Sequence, residues 1–128
     1  MSTHPVPQQK FDVAIVGGGL AGLALAVALR TSRLSIALIE GRAPQPAHAA
    51  SAGWDARVYA ISPSNARFLE DIGIWRHFDL TSARTRIAPV HSMDVCGDGG
   101  GRIEFSAYDS GVGELAWIIE SSLMQHEL

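Results

Sequence analysis

Residues 12–30 read DVAIVGGGLAGLALAVALR, and the fold turns on what this stretch is. Residues 13–29 carry no charge, as a membrane segment or a secretory signal would require. Three successive glycines, Gly17 to Gly19, interrupt the run, and glycine is a poor residue for a helix interior. Asp12 also follows Lys10 at the edge where a signal peptide keeps only positive charge. The better division is strand, tight turn, helix. Residues 11–16 are, apart from Asp12, apolar and rich in β-branched side chains, the character of a strand buried on both faces. Residues 20–31 are rich in Leu and Ala, both strong helix formers. Residues 34–40, LSIALIE, read as a second buried strand. Two buried strands joined by a helix make a βαβ unit with a parallel pair.

Gly17, Gly19 and Gly22 satisfy GxGxxG, and an acid, Glu40, ends the second strand 18 residues past Gly22. The glycines alone are a weak signal. A buried strand before them, a helix after them and the acid beyond make the dinucleotide fingerprint. Gly17 permits the tight turn. Gly19 has no side chain to keep a pyrophosphate away from the backbone. Gly22 lets the helix lie close to the strands. The helix start offers unpaired N–H groups and a partial positive charge to phosphate. Glu40 can accept hydrogen bonds from ribose hydroxyls and would repel a 2′-phosphate, which fits FAD or NAD and disfavours NADP. The competing interpretation is a structural turn with no ligand.

Further along, residues 58–61 read as a short extended piece. Ser62 is a good N-cap, Pro63 fits the first helical position and Gly73 the stop. Ala66, Phe68, Leu69 and Ile72 give that helix an apolar face, and residues 75–80 add a turn of helix. Residues 90–95 and 103–107 read as an antiparallel hairpin around CGDGGGR. Residues 115–119 form another strand, and residues 121–128 begin a helix. Residues 41–56 are a long loop. Trp54, Trp75 and Trp117 are expected in the core or an interface.

The 128 residues suit one ordinary domain. At 47% apolar content the chain can bury a core, and disorder is disfavoured. A net charge of −3 with scattered basic residues argues against a nucleic-acid partner. A lone cysteine, Cys96, allows no internal disulfide. The five histidines show no metal-ligand spacing, and no nucleophile motif is present.

Taken together, DVAIVGGGLAGLALAVAL, IALIEGR and DARVYAISPSNARFLEDIGIW resemble the aromatic-ring flavin hydroxylases, which share the para-hydroxybenzoate hydroxylase fold. Within them, the chain is most similar to the ubiquinone-biosynthesis hydroxylases. Asp55, Arg57, Ser62, Gly73 and Trp75 carry that narrower likeness, and LAWIIESSLMQHEL resembles the strand and helix lying against the flavin in that family.

The resemblance implies an α/β fold: an incomplete Rossmann-type FAD-binding fold that starts with βαβ and adds an antiparallel hairpin from the substrate-domain region. The polar stretch MSTHPVPQQK, with its two prolines, reads as a flexible tail, 1–10, and the resemblance makes 11–128 an N-terminal portion of the FAD-binding domain, truncated and inactive alone. Gly17, Gly19, Gly22 and Glu40 would hold the ADP half of FAD. Arg57 would lie near the pyrophosphate, Arg42 would support the adenosine end, and Gln125 would face the cofactor. The complete enzyme would use NAD(P)H and O2 to hydroxylate a polyprenylated phenol. It would be cytoplasmic, with room for peripheral contact at the inner membrane face or with a biosynthetic complex. No catalytic acid or base can be named. The alternatives are part of another FAD-dependent oxidoreductase, or a stand-alone, non-enzymatic nucleotide-binding module.

Overall fold

The structure, a computed structural model, describes residues 9–42, 54–80 and 86–128. Most of the expected tail, residues 1–8, and most of the expected 41–56 loop lie outside the described residues. The chain forms two compact units, Met1–Pro44 and Gln45–Leu128.

The first unit is the expected βαβ. Strand β1 (Val13–Val16) leads through the glycine turn into helix α1 (Leu20–Leu29), and strand β2 (Ile36–Ile39) follows. The strands pair in parallel, with Val13 opposite Ile36 and Val16 opposite Ile39. Asp12 and Ser35 pin the register ahead of the strands. The Asp12 carboxylate accepts the Ser35 N–H at 2.8 Å and its hydroxyl at 2.6 Å. These bonds, the hydroxyl's foremost, hold the Asp12 carboxyl below its ordinary value.

The expectation of strands buried on both faces is corrected. Ile15 is buried at 6% exposure, but Val16 is 82% exposed and Ile39 53%. No residue of α1 is fully buried, although LAGLALAVAL is apolar on every side. Burial on two faces needs a layer on each.

The second unit begins with β3 (Val58–Ile61), α2 (Pro63–Asp71) and α3 (Trp75–Leu80). The Ser62 hydroxyl accepts the Asn65 N–H, and Pro63 opens α2, as the sequence indicates. Gly73 takes φ +81°, the left-handed conformation that ends a helix with little strain in glycine.

Strands β4 (Ile87–Val90), β5 (Ser92–Cys96), β6 (Arg102–Ser106) and β7 (Ala116–Glu120) follow, and α4 (Ser121–Glu127) comes last. Strand β7 is central in an antiparallel sheet of order β3-β7-β4. Ala116, Ile119 and Glu120 of that strand are buried. Pro89 sits in β4, which pairs with β7 alone among the described strands, so its missing N–H costs no ladder bond to a second neighbour.

The single strand expected over residues 90–95 is two. The chain leaves one sheet after Val90 and enters the β5–β6 hairpin at Ser92, with His91 at the change. The apolar phase shifts here, from Val90 to Met93 and Val95, but a local pattern does not name the new pairing partner. CGDGGGR is a turn, as expected: Gly97 N–H donates to the Gly101 carbonyl at 2.8 Å.

Phe78 and Ile119 are wholly buried in this unit, with Leu69, Ile72, Ile74 and Met124 close to that state. Each such side chain contributes about 1.5–3 kcal/mol of apolar burial. Trp75 packs edge-on to Phe78 at 5.7 Å and to Trp117 at 5.2 Å, between ring centroids. Of the core or interface placements expected for Trp54, the core is not the one found. Trp54 is 75% exposed, with the Arg86 guanidinium 5.1 Å above its ring.

Candidate functional site

The glycine turn of the first unit is the candidate nucleotide site. Gly17 takes φ +106°, and its N–H donates to the Ile39 carbonyl at 2.8 Å, closing the end of β1 onto the end of β2. Gly22 faces the same turn from α1. A Cβ there would overlap the Gly17 carbonyl oxygen and lie 3.3 Å from Ile15 Cγ2. The close helix–strand approach expected of this glycine is therefore real. Over Gly19 the space is open, with no heavy atom within 4 Å of an added Cβ. Gly19 is also the residue preceding α1, whose start has no side-chain cap and no acid in its first turn. The first N–H groups of a helix have no partner within it. An open approach, uncapped donors and a positive helix end suit a phosphate.

Glu40 closes the other side. Its carboxylate accepts the Gly18 N–H at 2.5 Å and the Arg42 N–H at 3.0 Å, one on each oxygen. These bonds, the one from Gly18 foremost, lower its pKa from the ordinary 4.5, and the Arg42 charge adds to them. Each carboxylate oxygen has a second lone pair, so the fixed carboxylate can still accept from a ribose diol. Arg42 contributes its main-chain N–H to this arrangement, and its side chain is exposed. Gly17, Gly19, Gly22, Glu40 and Arg42 thus come together in one unit. Their geometry fits the adenosine diphosphate half of a dinucleotide.

Arg57 and Gln125 belong to the second unit. Both are exposed, Gln125 on α4 and Arg57 just ahead of β3. Around Arg57 lies a polar cluster that the sequence did not disclose. The Asp55 carboxylate accepts the Arg57 N–H at 2.9 Å and the Ser122 N–H at 3.0 Å. The first bond is a local turn, and the second caps α4 from a distant segment. The bond to Arg57 contributes most to lowering the Asp55 pKa from 3.8, with Ser122 next. Glu120, at 2% exposure, accepts the Asp55 N–H at 2.7 Å. It also holds Arg86 through Nε at 2.7 Å and Nη2 at 2.5 Å. Removing one partner of a buried bidentate pair costs about 3–5 kcal/mol. The pair borders a cleft of about 400 Å³ that Trp54, Val58, Ile87 and Ile118 also line.

A signal for Asp55 existed in the Asp-x-Arg spacing. Glu120 shows only as an acid between an apolar strand and a helix. Arg86, 34 residues from Glu120, has no local signal at all.

The sequence pattern described as FAD dependent oxidoreductase matches residues 12–99. A ubiquinone hydroxylase of Rhodospirillum rubrum is 32% identical over 117 residues, covering 91% of this chain and 26% of the relative. The 3-demethoxyubiquinol 3-hydroxylase of Escherichia coli is 30% identical over 120 residues, covering 94% of this chain and 29% of the relative. The chain thus spans little more than a quarter of the length of these relatives. A flavin-dependent monooxygenase, PieE, solved in complex with FAD and substrate, matches in structure with a TM-score of 0.59 at 19% identity. That match covers 95% of this chain and 22% of PieE, and it establishes likeness of fold.

Proposed function

Since the chain belongs to the FAD dependent oxidoreductase family, we propose that its first unit holds the ADP half of FAD. Gly17, Gly19 and Gly22 would form the pyrophosphate turn, Glu40 would take the adenosine ribose, and Arg42 would support that end. Arg57 would supply a guanidinium to the cofactor's phosphates, and Gln125 a polar contact. Residues 11–128 are then the FAD-binding portion of an aromatic-ring monooxygenase of ubiquinone biosynthesis. The observation that carries this reading is the Glu40 carboxylate held between the Gly18 and Arg42 N–H groups at the mouth of an uncapped helix.

FAD, once bound and reduced by NAD(P)H, would supply the oxygen chemistry that hydroxylates a polyprenylated phenol. The residues of this chain bind and orient. The turn offers N–H donors to the pyrophosphate, and its open face over Gly19 admits the phosphates to the backbone. Glu40 selects an unphosphorylated ribose. A polyprenylated phenol of the kind proposed here is lipid-soluble, which favours peripheral contact with a membrane. No helix among the described residues is long and apolar enough to cross one.

Calorimetric titration with FAD and with FMN tests the cofactor assignment. FAD, which carries the ADP half, should bind saturably, and FMN, which lacks it, should not. Equal binding of the two, or none of FAD, would refute the assignment.

A further inference from the structure

Among the described residues outside the glycine turn, the most organised polar cluster ties segment 54–58 to the junction of β7 and α4. Every main-chain polar group of Arg57 is engaged there. Its N–H donates to Asp55 at 2.9 Å, and its carbonyl accepts the Ser121 N–H at 2.9 Å. Its side chain stays exposed. Asp55 is held in turn. Its own N–H donates to Glu120, and its second carboxylate oxygen accepts from Ser122. Glu120 sits at the centre, 2% exposed, with Arg86 paired to both of its oxygens.

Burying a carboxylate is unfavourable unless its lone pairs are matched. Here the match comes from one main-chain N–H and one guanidinium, and the result is a fixed backbone beneath an exposed arginine. An arginine on a fixed backbone loses less freedom when it pairs with phosphate, and its planar fork must be aimed to pair well.

We propose that Glu120 is a positioning residue, which fixes through Asp55 the backbone from which Arg57 meets the phosphates of the cofactor. This rests on the reading of Arg57 as a phosphate partner. It concerns only the second unit's internal geometry. Glu120 itself need touch no ligand.

The test is a double-mutant cycle on FAD affinity, read by flavin fluorescence, with melting temperature followed alongside. The proteins are the wild-type chain, R57A, E120Q and R57A/E120Q. E120Q also removes the charge opposite Arg86, so D55N and R57A/D55N form a second cycle that decides the matter if E120Q does not fold. Arg57→Ala and Glu120→Gln should each weaken FAD binding about tenfold, the scale of one charge-assisted contact. Once Arg57 is alanine, Glu120→Gln or Asp55→Asn should change affinity less than about twofold. A role confined to general stability would lower the melting temperature, and its effect on affinity would multiply with that of R57A. That outcome overturns the proposal. Wild-type affinity in both E120Q and D55N, with R57A weakened, overturns the proposal alone. Wild-type affinity in R57A removes the phosphate role of Arg57, and the proposal with it. Failure of the wild-type chain to take FAD shows before any variant is compared, and removes the site reading as well.

Discussion

Glu40 is an exposed carboxylate that nonetheless has one geometry, because two main-chain N–H groups hold its two oxygens. Hydrogen bonds to the ionised form lower a carboxyl pKa, so Glu40 stays charged below its ordinary value of 4.5. The sign follows directly. A depressed folded pKa gives a contribution that is complete above the unfolded value and is lost as pH falls through the folded one. FAD, whose pyrophosphate has no ionisation between neutral pH and 4.5, should therefore bind with an affinity that is flat from neutral pH to about 4.5 and declines only below it. Affinity that already falls near pH 6 would point to histidine instead. The neighbouring Gly18 shows the limit of a consensus. It is not one of the three fingerprint glycines, yet a Cβ there would lie 3.1 Å from a Glu40 carboxylate oxygen. The spacing of the fingerprint was legible in the sequence. The contact between its parts was not.

At the scale of elements, local signals carried far where the chemistry is local. Ser62, Pro63 and Gly73 mark the two ends of α2, and the structure shows each of them at work. Replacing Ser62 with alanine removes the acceptor for the Asn65 N–H, and should cost about 1 kcal/mol in denaturant unfolding. An unchanged midpoint would mean that solvent replaces the cap at no cost. Strands β4 and β5 show the opposite case. Val90 to Val95 reads as one short strand-like segment, but its ends pair with different sheets. Pairing is a property of partners far along the chain, and periodicity within a window holds no trace of it. The Asp55–Glu120–Arg86 cluster stayed hidden for the same reason, since its members are up to 67 residues from the groups they bind.

At the scale of the whole molecule, the α/β class and the parallel start were legible because they rest on buried-strand composition and on glycine spacing. How completely the apolar faces are covered was not. The apolar runs around the turn read as strands buried on both faces, whereas Val16 is 82% exposed and Ile39 53%, and Leu25 of the helix between them is 46% exposed. Composition states what a segment would bury, and only the partner layers decide whether it does. The nucleotide turn escapes this dependence. Its donors, its open approach and its acid all come from residues 17–42, so its specificity can be read from that unit alone. The most direct measurement is equilibrium calorimetry of the chain with ADP and with ADP bearing a 2′-phosphate. The account predicts saturable binding of ADP and none of the phosphorylated form, because the fixed, charged Glu40 proposed to take the ribose would repel the extra phosphate. Equal binding of the two, or no binding of ADP, would contradict it.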